Sequence, residues 1–135
     1  MFSPSTLGRQ NFSVYWVYME HLAHYEKEER PWGTFERFTQ NEATTVKIIT
    51  VHEGEALSLQ THAHRDEFWR ILSGTGTATR GTDTLQMQAG DTLHCPRATP
   101  HRMEGGKGGI VFLEIAFGDF DEGDIVRLED RYNRA

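Results

Sequence analysis

Gly54-Glu55-Ala56-Leu57-Ser58-Leu59-Gln60-Thr61-His62-Ala63-His64-Arg65-Asp66-Glu67, running on to Gly74, decides how the rest of the chain is read. In an extended strand successive side chains alternate between faces. Gln60, His62 and His64 therefore share one face, and Leu57 and Leu59 have the opposite parity. A strand whose inner face carries an amide and imidazoles builds a polar site, not a plain core.

Working outward, the sequence from Trp32 onward breaks into short strand-like runs: Trp32–Phe38, Thr45–Val51, Ala56–Gln60, Glu67–Leu72, Thr75–Arg80, Thr84–Gln88, Thr92–Cys95, His101–Glu104 and Ile110–Phe117. Turn signals separate them at Glu53-Gly54, Ser73-Gly74, Arg80-Gly81-Thr82-Asp83, Ala89-Gly90 and Glu104-Gly105-Gly106. Many short strands at this spacing predict an all-β antiparallel sandwich or barrel. Thr75 to Met87 reads as a hairpin. Ahead of these runs, Phe12–Tyr18 suits an extra strand and Met19–Arg30 a short helix, ended by Pro31 because proline drives the preceding residue out of the helical region. Within it Glu26-Lys27-Glu28-Glu29 reads as a solvated helix face. The expected organisation is an N-terminal strand-and-helix extension over 1–31 and a barrel over 32–135, with Asp119–Ala135 as a loop or short strand. Added to a partner's sheet edge, the extra N-terminal strand would give a homodimer.

The chain has 135 residues, enough for one domain with a real core. Its net charge of −6 disfavours nonspecific nucleic-acid binding, though a small phosphorylated ligand needs only two or three local cations. The longest apolar run, Ile110–Phe117, is interrupted by Glu114 and is far too short to span a bilayer. The single cysteine, Cys95, excludes an intrachain disulfide. With no basic segment leading into an apolar one at the N-terminus, a cytoplasmic protein without membrane association is expected.

Counted by spacing, the opening stretch is Gly54, five residues, Gln60, one residue, His62, four residues, Glu67, six residues, Gly74; a second is Gly90, five residues, Pro96, one residue, Ala98, two residues, His101. These spacings resemble the two motifs of the cupins, whose double-stranded β-helix (jelly-roll) barrel gathers three histidines and a glutamate around one divalent metal. Here Gln60 stands at the first histidine position and Ala98 at the glycine of the second motif. The resemblance implies Gln60, His62, Glu67 and His101 as metal ligands. Two imidazoles, a carboxylate and an amide oxygen suit zinc foremost, and also manganese, cobalt, iron or nickel. His64 is a ligand, an acid/base or a hydrogen-bonding residue at the barrel mouth; these alternatives stay open.

The resemblance extends further. Arg30-Pro31-Trp32-Gly33, Leu57-Ser58-Leu59-Gln60, His62 to Trp69, Pro100-His101-Arg102 and Asp124 to Tyr132 together look like type II mannose-6-phosphate isomerase. That family usually carries its cupin domain after a mannose-1-phosphate guanylyltransferase domain. Over these 135 residues none is expected, so the resemblance implies isomerisation alone. Family members often have histidine where Ala63 and Phe68 stand and glycine where Asn133 stands.

What the resemblance implies is interconversion of mannose 6-phosphate and fructose 6-phosphate, with the metal as Lewis acid. A base near neutrality is required, and His64 and then Lys47 are its candidates. Arg102 and Arg127, followed by Arg65, are candidates for gripping the phosphate. Two other functions fit the same residues. His62, Glu67 and His101 alone match the two-histidine, one-carboxylate set of mononuclear iron oxygenases, and a cupin is also able to bind sugar without turning it over.

Overall fold

The computed structural model describes residues 22–134. The expected strand over Phe12–Tyr18, and any dimer built on it, lies outside these residues. The chain divides into two compact units between Glu42 and Ala43.

In the first unit, β1 (Glu26–Arg30) and β2 (Gly33–Arg37) form a two-stranded antiparallel sheet in which Arg30 faces Gly33 across Pro31-Trp32. The expected helix over Met19–Arg30 is therefore corrected: its described part ends in a strand. The charge pattern explains the outcome. Glu28 and Arg30 are two apart and their side chains meet at 2.6 Å, which a strand permits and a helix does not. Across the ladder Glu26 and its partner Arg37 form a 3.0 Å ion pair, and the Tyr25 hydroxyl donates to Glu36. Pro31 works here as a hairpin-turn residue instead of a helix stop.

The second unit is one seven-stranded sheet of β3 (Thr44–Val51), β4 (Leu59–Thr61), β5 (Glu67–Arg80), β6 (Asp83–Gln88), β7 (Thr92–Cys95), β8 (His101–Phe117) and β9 (Val126–Glu129). Its path is β6-β5-β8-β4-β9, with β3 on β8 and β7 on β5; closure into a full barrel is not part of that order. The hairpin of β5 and β6 pairs Thr75 with Gln88 through Arg80 with Asp83. No helix among the described residues is long and apolar enough to cross a membrane.

Two expected turns are also corrected. Ser73-Gly74 and Glu104-Gly105-Gly106 do not end strands; β5 and β8 run through them, with a register shift on β5 between Ile71 and Gly76. The glycines mark close backbone crossings. A Cβ on Gly74, whose φ is +79°, would lie 2.1 Å from the Gly109 carbonyl oxygen, and one on Gly105 would lie 2.2 Å from that of His52. At such points only glycine fits, and the strand kinks.

That kinking positions the site. Glu67 pairs with Ala116 and Arg80 with His101, so Glu67 and His101 stand at opposite ends of the β5/β8 ladder. On a flat sheet the rise per residue would hold those ends roughly 40 Å apart. Their side chains nonetheless approach to 3.2 Å, so the ladder coils back on itself. Inside the coil pack Trp69, Ile71, Met103, Ile110 and Phe112, all essentially buried, with the Trp69 and Phe112 rings 4.7 Å apart. Each contributes roughly 1.5–3 kcal/mol through burial.

Candidate metal centre

Three buried side chains meet at the end of the coil. His62 follows β4, Glu67 begins β5 and His101 begins β8; one ligand atom from each lies within 4.8 Å of the others. His62 Nε2 is 3.2 Å from Glu67 Oε2, and His101 Nε2 is 3.2 Å from Glu67 Oε1. The other ring nitrogens fix the tautomers. His62 Nδ1 lies 2.6 Å from the Asp124 carbonyl oxygen and His101 Nδ1 lies 2.9 Å from that of Thr99. A carbonyl only accepts, so each Nδ1 carries the proton and each Nε2 turns a lone pair toward the carboxylate. His62 Nε2 meets Arg65 Nη2 at 3.3 Å, whereas His101 Nε2 is buried with no hydrogen-bond partner. Converging lone pairs from two imidazoles and a carboxylate call for a cation between them. The donor set fits a divalent ion with open positions.

The electrostatics follow from burial. Desolvation pushes His62 below its usual value, against the bond it donates to the Asp124 carbonyl. Burial alone would raise Glu67, but the close approach of His101 first, then of Glu114 and His62, brings it down to about 2 in the metal-free site. Glu114 goes the other way. Burial, then the charge of Glu67 and the hydrogen bond to it, lift its carboxyl to about 7.

A cavity of about 170 Å³ opens beside the triad, and its walls include Lys47, Gln60, Arg65, Glu67, Glu114 and Arg127. Gln60 is the ladder partner of His101, and its amide nitrogen reaches the Ser58 carbonyl at 3.4 Å. Arg65 is buried; its Nε donates to Glu67 Oε2 at 2.9 Å, its Nη1 to the Asp121 carbonyl, and its guanidinium stacks 4.5 Å from the Phe120 ring. Lys47 bonds Glu122 at 2.7 Å and sits over the same ring at 4.6 Å. Arg127 Nε is buried without a partner.

Two of the residues singled out from the sequence lie away from this group. β4 stops at Thr61, so alternation no longer governs His64; it is exposed on a bend, with its backbone nitrogen donating to Asp124. Arg102 donates to the Leu57 carbonyl and pairs with Glu129 at 3.2 Å, and it does not line the cavity. Two residues went unassigned. Glu114 accepts from the Trp69 indole at 3.2 Å and hydrogen-bonds Glu67; its signal was a lone carboxylate inside the apolar Ile110–Phe117 run. Asp124 binds the His62–His64 segment from sixty or more residues away, which no local pattern announces.

The family model for the mannose-6-phosphate isomerase C-terminal domain matches residues 18–130. The chain belongs to that family. It is 38% identical over 112 residues to the xanthan biosynthesis protein XanB of Xanthomonas campestris pv. campestris, covering 82% of this chain and 24% of that protein. It is 38% identical over 117 residues to mannose-1-phosphate guanylyltransferase 2 of Escherichia coli O157:H7, covering 84% and 24%. The chain thus spans about a quarter of the length of these relatives. Among solved structures, a putative sugar phosphate isomerase from Acidithiobacillus ferrooxidans superposes with TM-score 0.51 at 25% identity, over 56% of this chain and 51% of that one. A double-stranded β-helix protein from Klebsiella pneumoniae gives 0.58 at 18% identity, over 67% and 78%, a likeness of fold. The family membership and this likeness identify a cupin domain of the double-stranded β-helix type, homologous to the isomerase-like domain of XanB and its relatives.

Proposed function

We propose that this domain is a metal-dependent aldose–ketose isomerase that interconverts mannose 6-phosphate and fructose 6-phosphate. The observation that carries the reading is the buried convergence of His62, Glu67 and His101, with Glu67 on the wall of a cavity that Arg127, its Nε unpartnered, also lines. The family membership supports the reaction class.

The reaction moves one proton from C2 to C1 and another from the C2 oxygen to the C1 oxygen, through a cis-enediolate, with no atom gained or lost. A divalent ion bound here, zinc foremost, would supply Lewis acidity toward negative charge on those oxygens. His62, Glu67 and His101 would hold it, with the Gln60 amide as the fourth donor. Among the cavity's side chains, Glu114 suits the carbon-to-carbon proton transfer. It is a carboxyl outside the ligand set, and the Trp69 indole fixes one of its oxygens. His64 on its exposed bend and Lys47 in its bond to Glu122 suit that task less well. Arg127 is the arginine we assign to the phosphate; Arg65 is already engaged by Glu67 and Asp121, and Arg102 by Leu57 and Glu129.

The test is turnover of mannose 6-phosphate by protein stripped of metal and reloaded with zinc, cobalt or manganese. Formation of fructose 6-phosphate is expected. A bound ion without turnover, for every metal tried, overturns the reading. The two-histidine, one-carboxylate set also fits a ferrous oxygenase, for which oxygen uptake with ferrous iron is the distinguishing result. Sugar-phosphate binding without turnover marks a non-catalytic cupin.

A further inference from the structure

Asp124 makes three hydrogen bonds to a single short segment. Its carboxylate accepts from the backbone nitrogens of Ala63, at 2.8 Å, and His64, at 2.9 Å. Its own carbonyl oxygen accepts from His62 Nδ1 at 2.6 Å. The segment it grips is the bend between β4 and β5, which has no ladder of its own and leaves Ala63 and His64 exposed. By holding two successive amides, the carboxylate fixes the carbonyl of the same residue opposite the imidazole. That carbonyl keeps the proton on Nδ1 and directs the Nε2 lone pair at Glu67.

The residues around Asp124 serve the same place. Phe120 lies against both Lys47 and Arg65, the Asp121 carbonyl takes Arg65 Nη1, and Glu122 takes Lys47. Just beyond Asp124, Ile125 and Arg127 line the cavity. Segment 120–127 thus touches the ligand bend through Asp124 and the cavity's cations or wall through Phe120, Asp121, Glu122, Ile125 and Arg127.

We propose that Asp124 is a positioning residue that seats His62 for the metal and ties the ion site to the segment forming the cavity wall. The proposal rests on the reading of His62, Glu67 and His101 as a metal site and not on the identity of the sugar. Partners of this kind, which orient a ligand without touching the ion, are worth about 10–100-fold in metal affinity. Asp124→Ala, which removes both amide acceptors, is expected to weaken zinc or cobalt binding about 10–100-fold. Asp124→Asn has the same shape and keeps one acceptor oxygen, so a smaller loss is expected.

The experiment titrates metal-stripped full-length protein with zinc, and with cobalt as a spectroscopic probe, well below the unfolding temperature. Loss of stability alone leaves the affinity of the folded protein and its cobalt spectrum unchanged. The proposal requires weaker binding together with an altered cobalt spectrum, and loss of exchange protection at the Ala63 and His64 amides by NMR. If Asp124→Ala fails to fold, Asp124→Asn decides, because its isosteric side chain leaves the packing in place. Wild-type affinity and spectrum in Asp124→Asn, with its amide protection lost, overturn the proposal while leaving the metal site intact. Failure of the wild-type protein to bind either metal overturns both the proposal and the metal-site reading.

Discussion

Replacing Glu114 by glutamine tests the carboxyl pair at the centre of the site. Glu67 and Glu114 are both buried and share a hydrogen bond, and the pair is split, with Glu67 at about 2 and Glu114 at about 7. Without a tertiary environment both titrate at 4.5. Between 4.5 and about 7, therefore, the folded metal-free protein retains a proton on Glu114 that the unfolded chain has released. A carboxyl raised on folding stabilises the protein below its unfolded value, and that contribution is lost as pH rises through its folded value. The gap corresponds to about 3 kcal/mol, or roughly 10 °C in Tm for a domain of this size. His62, lowered on folding, gives the opposite slope as pH approaches its ordinary 6.5, and does so in both proteins. The measured quantity is therefore the difference between wild type and Glu114→Gln in thermal unfolding with chelator, from pH 5 to pH 8. Wild type is expected to lose about 3 kcal/mol relative to the variant over that range. Parallel curves would refute the account of the pair.

Arg127→Met is expected to raise KM for a phosphorylated sugar at least tenfold with little change in kcat, the mark of lost ground-state binding; steady-state kinetics decide it. Gly105→Ala forces a Cβ to within 2.2 Å of the His52 carbonyl oxygen, and a loss of several kcal/mol in denaturant unfolding, or failure to fold, is expected. Ala98 occupies φ +63°, the left-handed region. Ala98→Gly relieves that strain and is expected to be neutral or stabilising by up to about 1 kcal/mol, read as a shift in the urea midpoint.

Much of this was legible because it depends on short-range order. Short runs between turn signals located most of the strands, though not β1, and spacing singled out His62, Glu67 and His101, which do converge. Spacing also marked Ala98, whose left-handed backbone explains a motif position that usually holds glycine. The two long strands were broken at Gly74 and Gly105 because a sequence does not distinguish a glycine that turns the chain from one that lets another backbone pass. Arg102 carried a signal that went unused: as the neighbour of His101 on a strand, it belongs to the opposite face. His64 required knowing that β4 ends at Thr61. Glu114 was visible as an interruption, but its neighbour Glu67 lies across the coiled ladder. The clamp at Asp124 belongs to tertiary contacts alone.

The coiled β5/β8 ladder also sets the order in which the molecule can assemble. Its pairs run from Arg80 with His101 to Glu67 with Ala116, so the sequence distance to be closed grows as the ladder zips. Such non-local pairing places folding in the millisecond-to-second range, slower than helical domains of similar size. The three candidate ligands converge only when the ladder is complete and coiled. An ion that binds there recognises the finished molecule and not its precursors, so it should slow unfolding while leaving the folding rate nearly untouched. In this protein the metal would act as a lock turned after the door is shut.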